Sequence, residues 1–169
     1  MDGDFFRVAE IGISVGYIIL PFVLGYAHAL VRGGGKWEII FLYYLFVGVG
    51  VQGIVTGIAQ IAIPETISEN LEWANSPFLL ELGMANISFG AVGIVGPWIN
   101  RGWSTAAAVA YSLFLTITGL GHLVELLQYG PSPGNSGGFL YSDLLVPVFT
   151  LAFMMLSRKQ VYSSIEVRA

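Results

Sequence analysis

Residues 76–93 read SPFLLELGMANISFGAVG, and how this stretch is read decides the fold. It opens an apolar run to Ile99, yet Glu81 and Asn86 stand inside it. A run near ~20 apolar residues is what a helix needs to cross a bilayer. A carboxylate in such a helix costs about 3 kcal/mol or more in lipid, so it turns toward protein or water. The stretch therefore predicts a transmembrane helix with a polar inner face, packed among other helices. A later apolar run carries Thr118, His122 and Glu125 in the same way.

The rest of the chain agrees with a bundle. Five apolar spans can be marked, at about Ile11–Val31, Trp37–Ile63, Pro77–Ile99, Thr105–Leu127 and Leu140–Leu156, the last being the shortest. Of the 169 residues 55% are hydrophobic and 11% charged, against roughly 25% charged in a soluble domain. The expected fold is all-α: a polytopic transmembrane helix bundle, one domain over residues 1–169, in the cell membrane and in contact with the lipid bilayer. Pro64 and Pro77 suit helix starts, where a missing N–H costs nothing. The acidic start MDGDFFRVAE lacks the basic region of a signal peptide, so the first span is expected to stay in the mature protein.

Lys and Arg set the orientation. Arg32 and Lys36 lie in the first connector, Arg101 in the third, and Arg158, Lys159 and Arg168 in the tail. The second and fourth connectors have none, and the second carries Glu65, Glu69 and Glu72. This predicts the N-terminus outside and the C-terminus inside, with Arg7 the exception. Within the second connector, Ile63, Ile67, Leu71 and Ala74 recur at helical spacing. They predict a short amphipathic helix over about 64–75, either lying in the outer interface with Trp73 at headgroup depth or capping the bundle.

Small residues mark a seam. Gly50, Gly53, Gly57 and Gln60 in the second span, and Gly83, Asn86, Gly90, Gly93 and Pro97 in the third, follow a heptad spacing. Helices approach closely along such stripes, so these two spans are expected to pack together, with Asn86 donating a hydrogen bond across the seam. Pro21, Gly25 and His28 share a face of the first span and suggest a kink.

With that orientation, Gln60, Glu81, His122, Glu125 and Asp143 all fall toward the outer leaflet, and His28 toward the inner one. Thr118, His122 and Glu125 at i, i+4 and i+7 form one helix face. His122 with Glu125 resembles half of a bundle-type carboxylate–histidine metal site in reverse order. Such donors suit Zn, Mn or Fe(II), and equally a proton relay. The alternative for the whole set is a structural ion-pair network, and for Asp143 a cap on the last helix. No Cys is present, which excludes disulfides, Fe–S clusters and thiol catalysis. The net charge of −4 and the lack of a basic run exclude nucleic-acid tracking. No span holds a Lys for a retinal Schiff base, and no GxSxG, HExxH or phosphate-loop motif occurs. His28 and His122 lie near opposite faces, too far apart for one bridging haem.

The segments VGVQGIVTGIAQIAIPETISENLEWANSPFLLELGMANISFGAVGIVG and GHLVELLQYGPSPGNSGGFLYSDLLVPVF resemble a family of small bacterial and archaeal membrane proteins with no established activity. The resemblance covers about Val47 to Phe149. Its marks are the Trp73-to-Pro77 segment leading into Glu81, Ala85-Asn86, Gly121-His122, Gly134-Asn135, and Asp143 with Pro147. It implies that a histidine often stands where this chain has Gln60, so one donor of a metal set would be missing here.

The functional expectation is an outward-facing intramembrane site for a metal ion, a proton or a small polar ligand. Glu81, His122 and Glu125 would make the direct contacts, as ligands of a divalent metal ion if one binds, with Gln60, Asn86 and Asp143 supporting them. The alternative is an accessory subunit of a larger electron-transfer or pigment-binding membrane complex, with the polar residues as a structural network; the expected protein partners are a second copy of the chain or the other subunits of such a complex. A membrane enzyme acting on lipid has no nucleophile motif behind it.

Overall fold

Apolar length decides the architecture of this computed structural model, which describes residues 3–166, with side chains for 5–160. The helices are α1 (Gly3–Arg32), α2 (Lys36–Tyr43), a π-helical segment (Tyr44–Val51), α3 (Gln52–Ala62), α4 (Pro64–Leu71), α5 (Pro77–Ile99), α6 (Arg101–Tyr129), α7 (Pro133–Ser136) and α8 (Gly138–Glu166). No strand occurs among the described residues, and the protein is all-α as expected. Five stretches are long and apolar enough to cross a membrane: Phe5–Arg32, Lys36–Ala62, Pro77–Ile99, Arg101–Tyr129 and Pro133–Gln160. The chain is an integral membrane protein. The fifth span exceeds its sequence estimate because Gly138 and the polar Ser157, Arg158 and Lys159 all continue the helix.

Local chemistry explains the breaks. Pro64 and Pro77 open α4 and α5 at positions that need no amide donor. Asn100, extended at φ −173°, accepts the Trp103 amide at 3.1 Å and caps α6. Gly130, with φ +84°, closes it. The second span is not one uniform helix: its π-helical turns hold Tyr44, Leu45 and Val49 against the core. A π segment adds a residue to the turn, so it rotates everything after it relative to what comes before.

The core lies mid-bundle, where Ile40, Tyr44 and Leu45 meet Tyr111, Val146 and Phe153. Tyr44 is fully buried, and its hydroxyl donates to the Ile18 carbonyl at 2.7 Å. The outer faces present Val31, Trp98, Ile117 and Leu127, as lipid contact requires. The α3–α5 seam forms along its glycines. A Cβ on Gly53 would lie 2.7 Å from the Asn86 carbonyl, and one on Gly90 2.6 Å from the Ile54 nitrogen. Gly25 similarly lets α1 approach Ile40.

One end of the bundle gathers basic residues. Arg101 donates to Glu38 at 2.9 Å and to the Ser157 hydroxyl at 3.0 Å, tying α2, α6 and α8. Arg168 lies outside the described residues. The opposite end is covered by α4, whose Ile67 and Leu71 pack with Leu79, Phe6, Trp73 and Phe139. Two residues of the apolar stripe, Ile67 and Leu71, are buried against the bundle, while Ile63 and Ala74 remain exposed.

Candidate intramembrane ligand site

Beneath α4 is a cavity of about 290 Å³, lined from α1, α3, α4, α5, α6 and α8. Its walls are mainly apolar and aromatic, with rings from Phe6, Tyr17, Trp73, Tyr111, Phe114 and Phe139. Polar groups enter at a few points. From α3 come Gln52, Thr56 and Gln60, at i, i+4 and i+8, a stripe about 12 Å long at 1.5 Å per residue. The π segment sets their rotation, so the same helix offers its glycines to α5 and its amides to the cavity.

Gln60 and Asn86 pair across the seam, with Asn86 Nδ2 donating to Gln60 Oε1 at 3.0 Å. Gln52 is 4% exposed, and its Oε1 has no hydrogen-bond partner among the described residues. On α6, Thr118 returns its hydroxyl to the Phe114 carbonyl at 2.9 Å. His122 stacks on Trp73 with ring centres 5.9 Å apart, and Trp73 fits over Gly134, where any side chain would collide with the indole. His122 Nε2 lies 4.0 Å from Asp143 Oδ2, and Nδ1 lies 3.8 Å from Glu125 Oε2. Asp143 is 7% exposed, faces the cavity and makes no hydrogen bond among the described residues.

The structure brings Gln60, Asn86, His122 and Asp143 to one cavity and leaves Glu81 and Glu125 off its wall. Glu81 is exposed. It precedes Gly83 by two residues, about 200° around the helix, and Gly83 faces α3, so Glu81 points away from the seam. Glu125 is nearer the helix end than His122, and its side chain is 56% exposed. The metal set Glu81, His122 and Glu125 is therefore not assembled, and among the described residues no three of His, Cys, Asp and Glu gather to hold an ion. Asp143 does not cap α8, because it lies within the helix.

That capping role falls to a residue the sequence reading passed over. Glu10 of α1, 5% exposed, accepts the Phe139 amide at 3.0 Å at the start of α8. A carboxylate suits a helix N-terminus, where unpaired amides carry partial positive charge. Gly137 and Gly138 make room for it: a Cβ on Gly137 would strike the carboxylate, and one on Gly138 would sit 2.9 Å from the Glu10 carbonyl. The signal was an acid at the mouth of the first span and a Gly pair at the mouth of the last. Gln52 was visible as a polar residue within an apolar span, but only its rotation into the cavity gives it meaning.

The comparison with known families decides the chain's kinship, since one family of unknown function matches residues 12–162. The chain belongs to that family, DUF6790. In this DUF6790 member the match covers four of the five apolar helices whole, the first from residue 12 onward, and every cavity residue named from α3 to α8. No curated protein and no solved structure matches it.

Proposed function

We propose that this protein binds a small organic molecule with an apolar body and a polar end inside the bundle, in the outer half of the cell membrane. The observation that carries the reading is a cavity of about 290 Å³ with aromatic walls, into which Thr56, Gln60, Asn86, His122 and Asp143 bring a few polar groups. A cavity near 300 Å³ with apolar walls and a few convergent polar groups is the form small-molecule sites take. The lining suits such a molecule better than a bare metal ion, for which no donor set is gathered. Placing the site in the outer half rests on the Lys and Arg distribution, which assigns the basic end to the cytoplasm.

The test uses the full chain in detergent and a titration of 2-phenylethanol and 2-phenylethylamine by calorimetry. At least one should bind saturably at one site per chain. Ala59→Phe, which fills the cavity from α3, should abolish binding while the helix content is kept. Absence of saturable binding of both probes to the wild-type chain, or binding unchanged in Ala59→Phe, overturns the proposal.

A further inference from the structure

The cavity's charged groups are unequal in sign. Glu10, His122 and Asp143 line it, together with the phenols of Tyr17 and Tyr111, and among the described residues neither Lys nor Arg does. The two carboxylates are not equivalent. Glu10 is engaged by the α8 amide of Phe139. Asp143 has no hydrogen bond among the described residues, although it is 7% exposed, and the imidazole opposite it stands 4.0 Å away, beyond hydrogen-bond reach. A buried carboxylate is retained where something compensates it.

We infer that the site selects an organic cation, an amine carrying an apolar body, over a neutral molecule of the same shape, with Asp143 as its counter-ion. The inference rests on the ligand-site reading above and names the chemical class of its occupant. An anion would meet two carboxyl groups and no fixed cation. A bare metal ion would find no three donors of His, Asp or Glu gathered among the described residues. A neutral molecule would leave Asp143 as it is. An ammonium group satisfies Asp143 by a charge-assisted hydrogen bond. The aromatic walls favour the same charge, because ring faces attract cations.

The pair of probes separates charge from shape, since 2-phenylethylamine and 2-phenylethanol differ little in size. The amine should bind at least about tenfold more tightly, and Asp143→Asn should bring its affinity down to that of the alcohol. Glu69→Gln, on the exposed face of α4, should leave the amine preference intact, which distinguishes a contact with Asp143 from a general surface field. Equal affinity for both probes in the wild type overturns the cation assignment and leaves the ligand site standing. An amine preference that survives in Asp143→Asn, or one that Glu69→Gln also removes, overturns Asp143 as counter-ion. Saturable binding of neither probe overturns both readings. If Asp143→Asn does not fold, Asp143→Ser serves in its place: the amine preference should be lost, and its survival counts against the inference.

Discussion

At the scale of single residues, Gln52 is held at an energetic disadvantage. Its side chain is buried with an acceptor that nothing satisfies. Replacing a buried, unpaired polar group by an apolar one of similar size removes a penalty of about 1–3 kcal/mol. Gln52→Leu is therefore expected to raise the melting temperature of the protein. Thermal denaturation measures it, and a variant that loses stability contradicts the account. The Asn86–Gln60 pair behaves in the opposite way, since both partners are buried and bonded at 3.0 Å. A double-mutant cycle with Asn86→Leu and Gln60→Leu should give a coupling of roughly 0.6 to 1.7 kcal/mol, the range for hydrogen bonds between membrane helices. A coupling near zero would mean that the two side chains act independently. Glu10→Gln should cost about 1–2 kcal/mol, because the bond to Phe139 loses its charge while its shape is kept.

At the scale of elements, the α3–α5 contact depends on missing side chains. Lipid tails are as apolar as leucine, so helices in a membrane gain little by hiding apolar surface and associate through close packing instead. Gly53 and Gly90 touch backbone on the opposing helix, and neither wall yields as a flexible side chain would. Gly53→Ala and Gly90→Ala should each destabilise the protein by about 1–3 kcal/mol, the usual cost of overpacking. Gly16→Ala is the control: a Cβ there meets nothing within 4 Å, and the change should be neutral or stabilising by up to about 1 kcal/mol through helix propensity. Unfolding in a denaturing detergent series ranks the three, and equal effects would sink the seam argument. The π segment runs into this contact, its Gly50 lying against Ile94 of α5. It lets α2 face the core with Ile40 and Phe41 while α3 faces both the seam and the cavity.

At the scale of the whole molecule, the two ends differ in charge and covering. Arg101 ties Glu38 to Ser157 at the basic end, while α4 and Trp73 close the other end over the cavity. The chain has no cysteine, so its orientation can be tested with single introduced thiols. Glu69→Cys on α4 should react with a membrane-impermeant maleimide in intact cells. Gly35→Cys, where a Cβ meets Glu38 Cβ at 3.7 Å, an ordinary contact, should react only after lysis. The reverse pattern would place the cavity on the cytoplasmic side.

Composition and period alone determined the class of this protein. Five apolar runs, their near-absence of charge and the glycine spacings are local quantities, and each states a cost in lipid that does not depend on where the other helices lie. Asn86 and Gln60 were legible for the same reason: they share a stripe with the glycines, so whatever those glycines touch, the amides must touch too. The site's other members were decided only by the tertiary structure. Glu81 and Asp143 are both acids near one end of a span, and nothing local separates them. Packing does, because the Gly83 face turns Glu81 outward while Gly119 admits Asp143 against α6. Glu10 became a buried helix cap through a contact 129 residues away, and Gln52 became a cavity residue through a π-helical turn. Rotation about a helix axis and pairing across the chain are set by the sum of many contacts, and one stretch of residues contains only its own share of that sum.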